Sequence, residues 1–250
     1  MTGLDDILGG FPLTPAADLD RSALQQRLTL KFLLPTAGLA DLVQELVTQY
    51  TLSPAADRRS ASYRTLHFDT RDLAFFHAHR RGCRRREKVR IRHYDDRKLS
   101  FFEVKQRFTD LKTVKWRRPH SFGDNALYAE DFELVHRYTR AEGALIPQVW
   151  TLFQRLTLVN SLENERVTFD VDLRFSDGQR EIEVPHAVIA EVKQSRLNRR
   201  TPILSALRHR GFRPQRFSKY CAAIVATHAA IRRNRLTPQF RAMEHIEHGP

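Results

Sequence analysis

Only two cysteines occur in this chain of 250 residues, Cys83 and Cys221, far apart and without metal-ligand spacing. That argues against a disulfide-stapled scaffold and suits a reducing, cytoplasmic setting. Glycine-rich phosphate cradles are also missing: neither G-x-G-x-x-G nor G-x-x-x-x-G-K-[ST] occurs. If phosphate is held, side chains must hold it. The longest apolar run, Ala222 to Ile231, is broken by His228 and too short to span a bilayer. The first residues are acidic and lack the apolar stretch of a secretory signal. Negative charge is in deficit as well, since 29 Asp and Glu face 42 Lys and Arg, a formal net charge of +13. Such a balance implies an anionic partner: nucleic acid, anionic lipid, or a phosphorylated small molecule or polymer.

What is present is a folded chain, with 41% hydrophobic residues and 16 Phe. Between Glu87 and Arg117 one pattern recurs three times: Lys88-Val-Arg90-Ile-Arg92, Phe102-Glu103-Val-Lys105-Gln-Arg107 and Val114-Lys115-Trp-Arg117. Charges two apart with apolar residues between them follow the strand period, so each run puts its charges on one face. Later segments extend the parity. Arg166, Thr168, Asp170, Asp172 and Arg174 share one face, and Val167, Phe169, Val171, Leu173 and Phe175 the other. Glu191 and Lys193 repeat the Glu-x-Lys of Glu103 and Lys105, while Lys31 and Arg155 stand among apolar strand residues.

The remaining pattern predicts a loose arm over 1–26, a strand from Arg27 to Leu34, and a helix from a Thr36 cap to about Tyr50. A strand over Ser62–Asp69 and a short helix over Arg71–His79 precede the charged strands, the first two joined at Asp95-Asp96-Arg97. A helix over Leu127–Ala141 leads to strands Val149–Asn160 and Glu165–Phe175. Asp177-Gly178 signals a hairpin into strands Arg180–Val184 and Val188–Lys193. Helices over Thr201–Arg210 and Ser218–His228 close the fold, and 229–250 reads as a charged tail. The class is α+β, or a barrel with helices outside.

For any one of these strands, a solvated sheet face is the ordinary outcome. For the set, the prevalence of Arg and the constant parity point further. Arg suits forked phosphate contacts, and like charges on neighbouring strands repel unless an anion lies among them. A closed sheet would turn the charges into a wet lumen. Nucleic acid fits less well, because single-strand binders stack bases on aromatics of the charged face. Here Phe102, Trp116, Phe169 and Phe175 lie on the opposite parity, although Tyr94 and Phe101 share it. The Arg80-Arg81-Gly-Cys-Arg84-Arg85-Arg86 run reads as a solvated loop or a rim that gathers anions.

Several segments together resemble the VTC domain, the polyphosphate polymerase branch of the triphosphate tunnel (CYTH-like) superfamily. They are Tyr63-Arg-Thr-Leu-His-Phe-Asp69-Thr70, Lys88-Val-Arg90-Ile-Arg92-His-Tyr94, Phe102-Glu103-Val-Lys105 and Val114-Lys115-x-Arg117. Arg166-Val-Thr168-Phe-Asp170, Ala190-Glu191-Val-Lys193 and Phe217-Ser218-Lys219-Tyr220 complete the set. The resemblance implies a VTC domain over 27–228, built as a closed eight-stranded antiparallel barrel with helices outside. Its cationic lumen would bind ATP and polyphosphate with Mn²⁺ or Mg²⁺. Carried over, the phosphate contacts are Lys31, Arg90, Arg92, Lys105, Arg107, Arg166 and Lys219. Lys88, Lys115, Arg117, Arg155 and Lys193 join them on parity, and Glu191 is the metal carboxylate, with Glu103 or Asp170 assisting. Arg90, Arg92, Lys105, Arg166 and Glu191 form the expected catalytic group.

This chain departs from the superfamily's acidic first strand, having Arg27-Leu-Thr29-Leu-Lys31 in its place, and His67 stands where an aromatic is common. The expected activity is that of an ATP:polyphosphate phosphotransferase, because a phosphate nucleophile is already ionised and needs no general base. Alternatives are hydrolysis in the same tunnel, or a non-catalytic polyphosphate or nucleotide-binding module. A membrane-protein partner is compatible with the resemblance. Arg90→Ala and Arg92→Ala are expected to weaken anion binding with little loss of folding.

Overall fold

The alternating runs become strands of one antiparallel sheet. The structure, a computed structural model, describes residues 2–15, 28–56, 58–108 and 113–228, with positions 231 and 246. In chain order the elements are α1 (Thr2–Gly9), β1 (Leu28–Pro35), α2 (Leu39–Gln44), β2 (Thr51–Leu52) and β3 (Ala61–Thr70). Then come α3 (Ala74–Arg81), β4 (Arg86–Tyr94), β5 (Leu99–Arg107), β6 (Thr113–His120), α4 (Ala129–Tyr138) and β7 (Leu145–Asn160). Last are β8 (Glu165–Ser176), β9 (Glu181–Val184), β10 (Ala187–Gln194), α5 (Pro202–His209) and α6 (Lys219–Thr227).

The ladder runs β1-β10-β8-β7-β3-β4-β5-β6, with β2 added to β7 and β9 to β8. This corrects the expected closed barrel of eight strands: among the described residues the sheet is open, has ten strands, and leaves β1 and β6 as its edges. Side-chain alternation specifies faces, but not which backbone edges meet. The sheet is nevertheless strongly rolled. Lys31 on β1 and Lys105 on β5 are six ladder steps apart, roughly 29 Å in a flat sheet. Even so, Lys31 lies close enough to lower the Lys105 pKa.

Apolar residues of the repeated parity fill the outer side. Phe169, Val167, Val192 and Leu156 pack with α1, α2 and α5, while Val89, Ile91, Phe102 and Val104 pack with Val135 of α4. Burying side chains of this size contributes about 1.5–3 kcal/mol each. α6 lies on the inner side, where its Tyr220, Ala223 and Ile224 meet Leu33, Phe153, Leu173, Phe175 and Ile189.

That contact reveals a break in the expected parity of β8. Asp172 has φ +51 and sits in a bulge where β8 slips past Phe153 of β7. The extra residue reverses the faces beyond it. Leu173 and Phe175 therefore turn inward beneath α6, while Asp172 and Arg174 become exposed. The arm also differs. α1 folds back so that Leu8, 1% exposed, and Phe11 join the outer core with Leu4 and Ile7 at its edge, a helical spacing of apolar residues. Residues 16–27, with the predicted start of the first strand, and the tail beyond His228 apart from positions 231 and 246 lie outside the described residues. The helix predicted from a Thr36 cap is shorter. Gly38, at φ +82, precedes α2, and the Thr36 hydroxyl donates to the Pro185 carbonyl at 2.7 Å.

Candidate functional site

Residues paired directly across neighbouring strands share a face, so the ladder registers lay out the inner wall row by row. Thr29, Lys193, Arg166 and Val159 form one row, and Lys31, Glu191, Thr168 and Thr157 the next. Leu33, Ile189, Asp170 and Arg155 follow. On the other limb Arg92 lies between Thr65 and Phe101, and Arg90 between His67 and Glu103, with Arg117 beyond. Lys88, Lys105 and Lys115 stand side by side, and Arg107 pairs with Arg86 at the far end of β4 and β5. The side chains named from the sequence thus share one face, whose two limbs come from strands far apart in the chain.

α6 supplies the remaining cation and ties the limbs together. Lys31 Nζ donates to the Phe217 carbonyl at 3.3 Å, and Lys88 Nζ to Ser218 Oγ at 2.8 Å. Ser218 also caps the helix, accepting from the Cys221 amide. Lys219 reaches Asp170. Tyr220 donates to Asp69, whose carboxylate accepts from the Phe75 and Phe76 amides and so fixes the start of α3.

Three carboxylates among the described residues stand in this cationic wall, and their situations differ. Glu103 is 0% exposed and accepts from Arg90 Nε at 2.7 Å, while Lys115 holds its other oxygen. Burial would raise its pKa, but Arg90, Arg92 and Lys115 outweigh burial and hold it below the carboxylate range. Asp170, also 0% exposed, is clasped by Arg155 and Lys219. Against burial, those two cations bring it down to about 2. Among the described residues Glu191 meets only Lys193, at 3.3 Å. Burial opposes its ionisation too, yet Lys193, Lys31, Arg155 and Lys105 keep it ionised, its pKa well below the ordinary value. Glu103 and Asp170, the expected auxiliary metal ligands, are therefore each held by two cations, whereas Glu191 has one ion-pair partner among the described residues, Lys193.

The cations outnumber these partners, and their pKa values register it. Burial, with Glu191 opposing, brings Lys193 down to about 7. Burial, with Asp170 opposing, brings Lys219 down to about 8. Lys105 reaches water in the open trough, yet protein surrounds it on most sides; burial and then Lys31 lower it to about 8. Burial lowers Lys88 well below the lysine range. Arg166 is lowered by burial and then by Arg155, and its buried Nε has no hydrogen-bond partner among the described residues. Aromatic rings hold other guanidiniums: Arg155 lies 4.9 Å and Arg92 5.4 Å from the Tyr63 ring centre, and Arg117 lies 4.7 Å from that of Phe101. A wall with this surplus can take a multiply charged anion along its length.

The sequence model of the VTC domain matches residues 26–228. The chain belongs to the VTC domain family. No curated protein matches this VTC domain. Among solved structures it is similar to a putative adenylyl cyclase from Hippeastrum, described as having a dominant triphosphatase activity. That likeness has 13% identity over 81% of this chain and 97% of the other, with a TM-score of 0.49. A putative adenylate cyclase from Bacillus halodurans gives 12% identity over 77% and 94%, with a TM-score of 0.46. The PH1819 protein of Pyrococcus horikoshii gives 9% identity over 74% and 86%, with a TM-score of 0.39.

A VTC domain whose metal were held by protein alone would need several ligands in one place. Among the described residues no three His, Cys, Asp or Glu side chains gather so. Mg²⁺-like ions, however, are commonly held by one or two carboxylates together with substrate phosphates, and Glu191 beside Lys31 and Lys193 fits that arrangement. No described helix is long and apolar enough to cross a membrane. Tyr63, Thr65 and His67 of β3, part of the segment that carries the resemblance but not among the expected site residues, also face the trough, and their alternation carries the signal. His67 is buried and stacks on Tyr220 with ring centres 5.1 Å apart. Burial, with Arg90 and Lys88 next, depresses its pKa well below the usual histidine value, so it stays neutral.

Proposed function

We propose that this VTC domain is a metal-dependent ATP:polyphosphate phosphotransferase. The observation that carries the reading is the state of the wall: a dense array of cations in which Glu103 and Asp170 are each sealed by two partners and Glu191 is met by Lys193. Hydrolysis needs a group that orients water, and Glu103 and Asp170 are taken up by Arg and Lys partners. A terminal phosphate oxygen is an ionised nucleophile already, so the protein's task is alignment and charge neutralisation. In the transfer, that oxygen bonds to the γ-phosphorus of ATP, the bond from γ-phosphorus to the β–γ bridging oxygen breaks, and ADP leaves. Arg90, Arg92, Lys105 and Arg166 hold the phosphates, and Lys31, Lys88, Arg107, Lys115, Arg117, Arg155, Lys193 and Lys219 line the track. Glu191 would hold Mn²⁺ or Mg²⁺ with substrate oxygens, an ion that neutralises charge on the phosphates. The two free cysteines are in keeping with a cytoplasmic protein.

Incubating purified protein with ATP and Mn²⁺ or Mg²⁺, with and without a short polyphosphate primer, tests this. Polymer and ADP are expected. Orthophosphate without polymer would make the protein a hydrolase. Tight tripolyphosphate binding without turnover, unchanged in Glu191→Ala, would make it a binding module.

A further inference from the structure

Thr168 stands in the middle of β8 on the inner face, between Thr157 on one side and Glu191 on the other. Its neighbours in sequence, Val167 and Phe169, point into the outer core. The residue is 2% exposed, and its Oγ1 has no hydrogen-bond partner among the described residues. A buried hydroxyl left so is destabilising, and a persistent case calls for an explanation. Two residues earlier on the same strand and face is Arg166, whose buried Nε is equally without a partner. Two such positions are about 7 Å apart along a strand.

The chemistry of the pair selects its complement. A guanidinium Nε–H only donates, and a threonine hydroxyl can donate, so a group satisfying both offers acceptor oxygens. Lys31 pairs with Glu191 in its own row, Lys193 stands in the row of Arg166, and both add positive charge. The complement is therefore an anion rather than a metal ion. We infer that Thr168 Oγ1 and Arg166 Nε form a seat for phosphoryl oxygens beside Glu191, with Thr168 a binding residue that the charge pattern leaves unmarked. This rests on the reading of the trough as a site for a phosphate chain, and it adds a neutral donor that fixes where one phosphoryl group stops along an otherwise continuous cationic track.

Isothermal titration with tripolyphosphate and thermal unfolding, both on the whole chain, test it with two variants. Thr168→Val keeps the side chain's shape and removes the hydroxyl. Its affinity is expected to fall about ten-fold or more, the effect of losing a hydrogen bond to a charged group. Its metal-free unfolding temperature is expected to equal or exceed that of wild type, since an unsatisfied buried hydroxyl is gone. Thr168→Ser, which keeps the donor, is expected to bind within about three-fold of wild type, inside the usual spread of single-contact effects. Wild-type affinity in Thr168→Val would overturn the seat while leaving the phosphotransferase reading intact. So would a lower unfolding temperature for that variant, which would mean the hydroxyl is bonded within the fold. No tripolyphosphate binding by wild type would overturn the functional reading and the seat together.

Discussion

Arg155 clasps Asp170 with two nitrogens, Nε to Oδ1 at 2.6 Å and Nη2 to Oδ2 at 2.9 Å, across directly paired positions of β7 and β8. Lys219 of α6 meets the same carboxylate. Asp170 thus anchors α6 onto the sheet.

Replacing Asp170 by Ala leaves two buried cations facing each other. Breaking a buried ion pair by removing one partner costs about 3–5 kcal/mol, so Asp170→Ala is expected to lose that much in urea unfolding. Tripolyphosphate is expected to restore part of the loss by supplying negative charge. A variant as stable as wild type would show the carboxylate to be dispensable for the fold.

Arg90 and Arg92 behave differently from the equal pair anticipated from their spacing. Arg90 neutralises buried Glu103, whereas Arg92 donates to Thr65 Oγ1 at 3.1 Å and lies over Tyr63. Arg90→Ala is expected to destabilise the fold, by about 3 kcal/mol if Lys115 compensates little. Arg92→Ala is expected to weaken tripolyphosphate binding with under about 1 kcal/mol change in stability. Chemical denaturation alongside titration calorimetry separates the two, and equal stabilities would contradict the ion-pair assignment.

Glu191→Gln keeps the size of the side chain and removes its charge. In chelator, tripolyphosphate binding is expected to hold or tighten, since one repulsive carboxylate is gone. Metal-stimulated turnover of ATP is expected to fall at least about 100-fold, the scale seen when an interaction specific to the transition state is lost. Undiminished metal-stimulated turnover would remove Glu191 from the proposed metal site.

The lowered lysines set a pH dependence. With Lys193 near 7 and Lys219 near 8 in the fold, against about 10.4 when unfolded, the unfolded chain binds more protons in between. Stability of the metal-free protein is therefore expected to rise from about pH 7 to pH 8.5 on their account. Above that, Cys221, whose thiol burial pushes up, begins to oppose it. Anion binding re-protonates the lysines, so tripolyphosphate titrations near pH 8 are expected to show proton uptake, read from the dependence of binding heat on buffer. Affinity is expected to weaken as pH rises toward 10. Proton release would contradict the assignment.

Much of this was legible in the chain because strand alternation is a local property. The parity of Lys88, Arg90 and Arg92, of Glu103 and Lys105, and of Glu191 and Lys193 follows from a period of two and survives in the folded protein. The fate of each charge was not legible in this way. That Glu103 is sealed by Arg90 and Lys115 while Glu191, among the described residues, meets Lys193 alone depends on which strands become neighbours, and β10 reaches β8 and β1 only through the ladder. At Asp172 a single residue with positive φ reverses the faces of Leu173 and Phe175, giving α6 its apolar bed. Period counting cannot anticipate such a slip. The open edges at β1 and β6 were likewise settled by backbone pairing. Sequence alone determined a basic sheet with one charged face; tertiary structure decided that the face is a rolled, open trough, because curvature and edge pairing come from contacts between segments far apart in the chain.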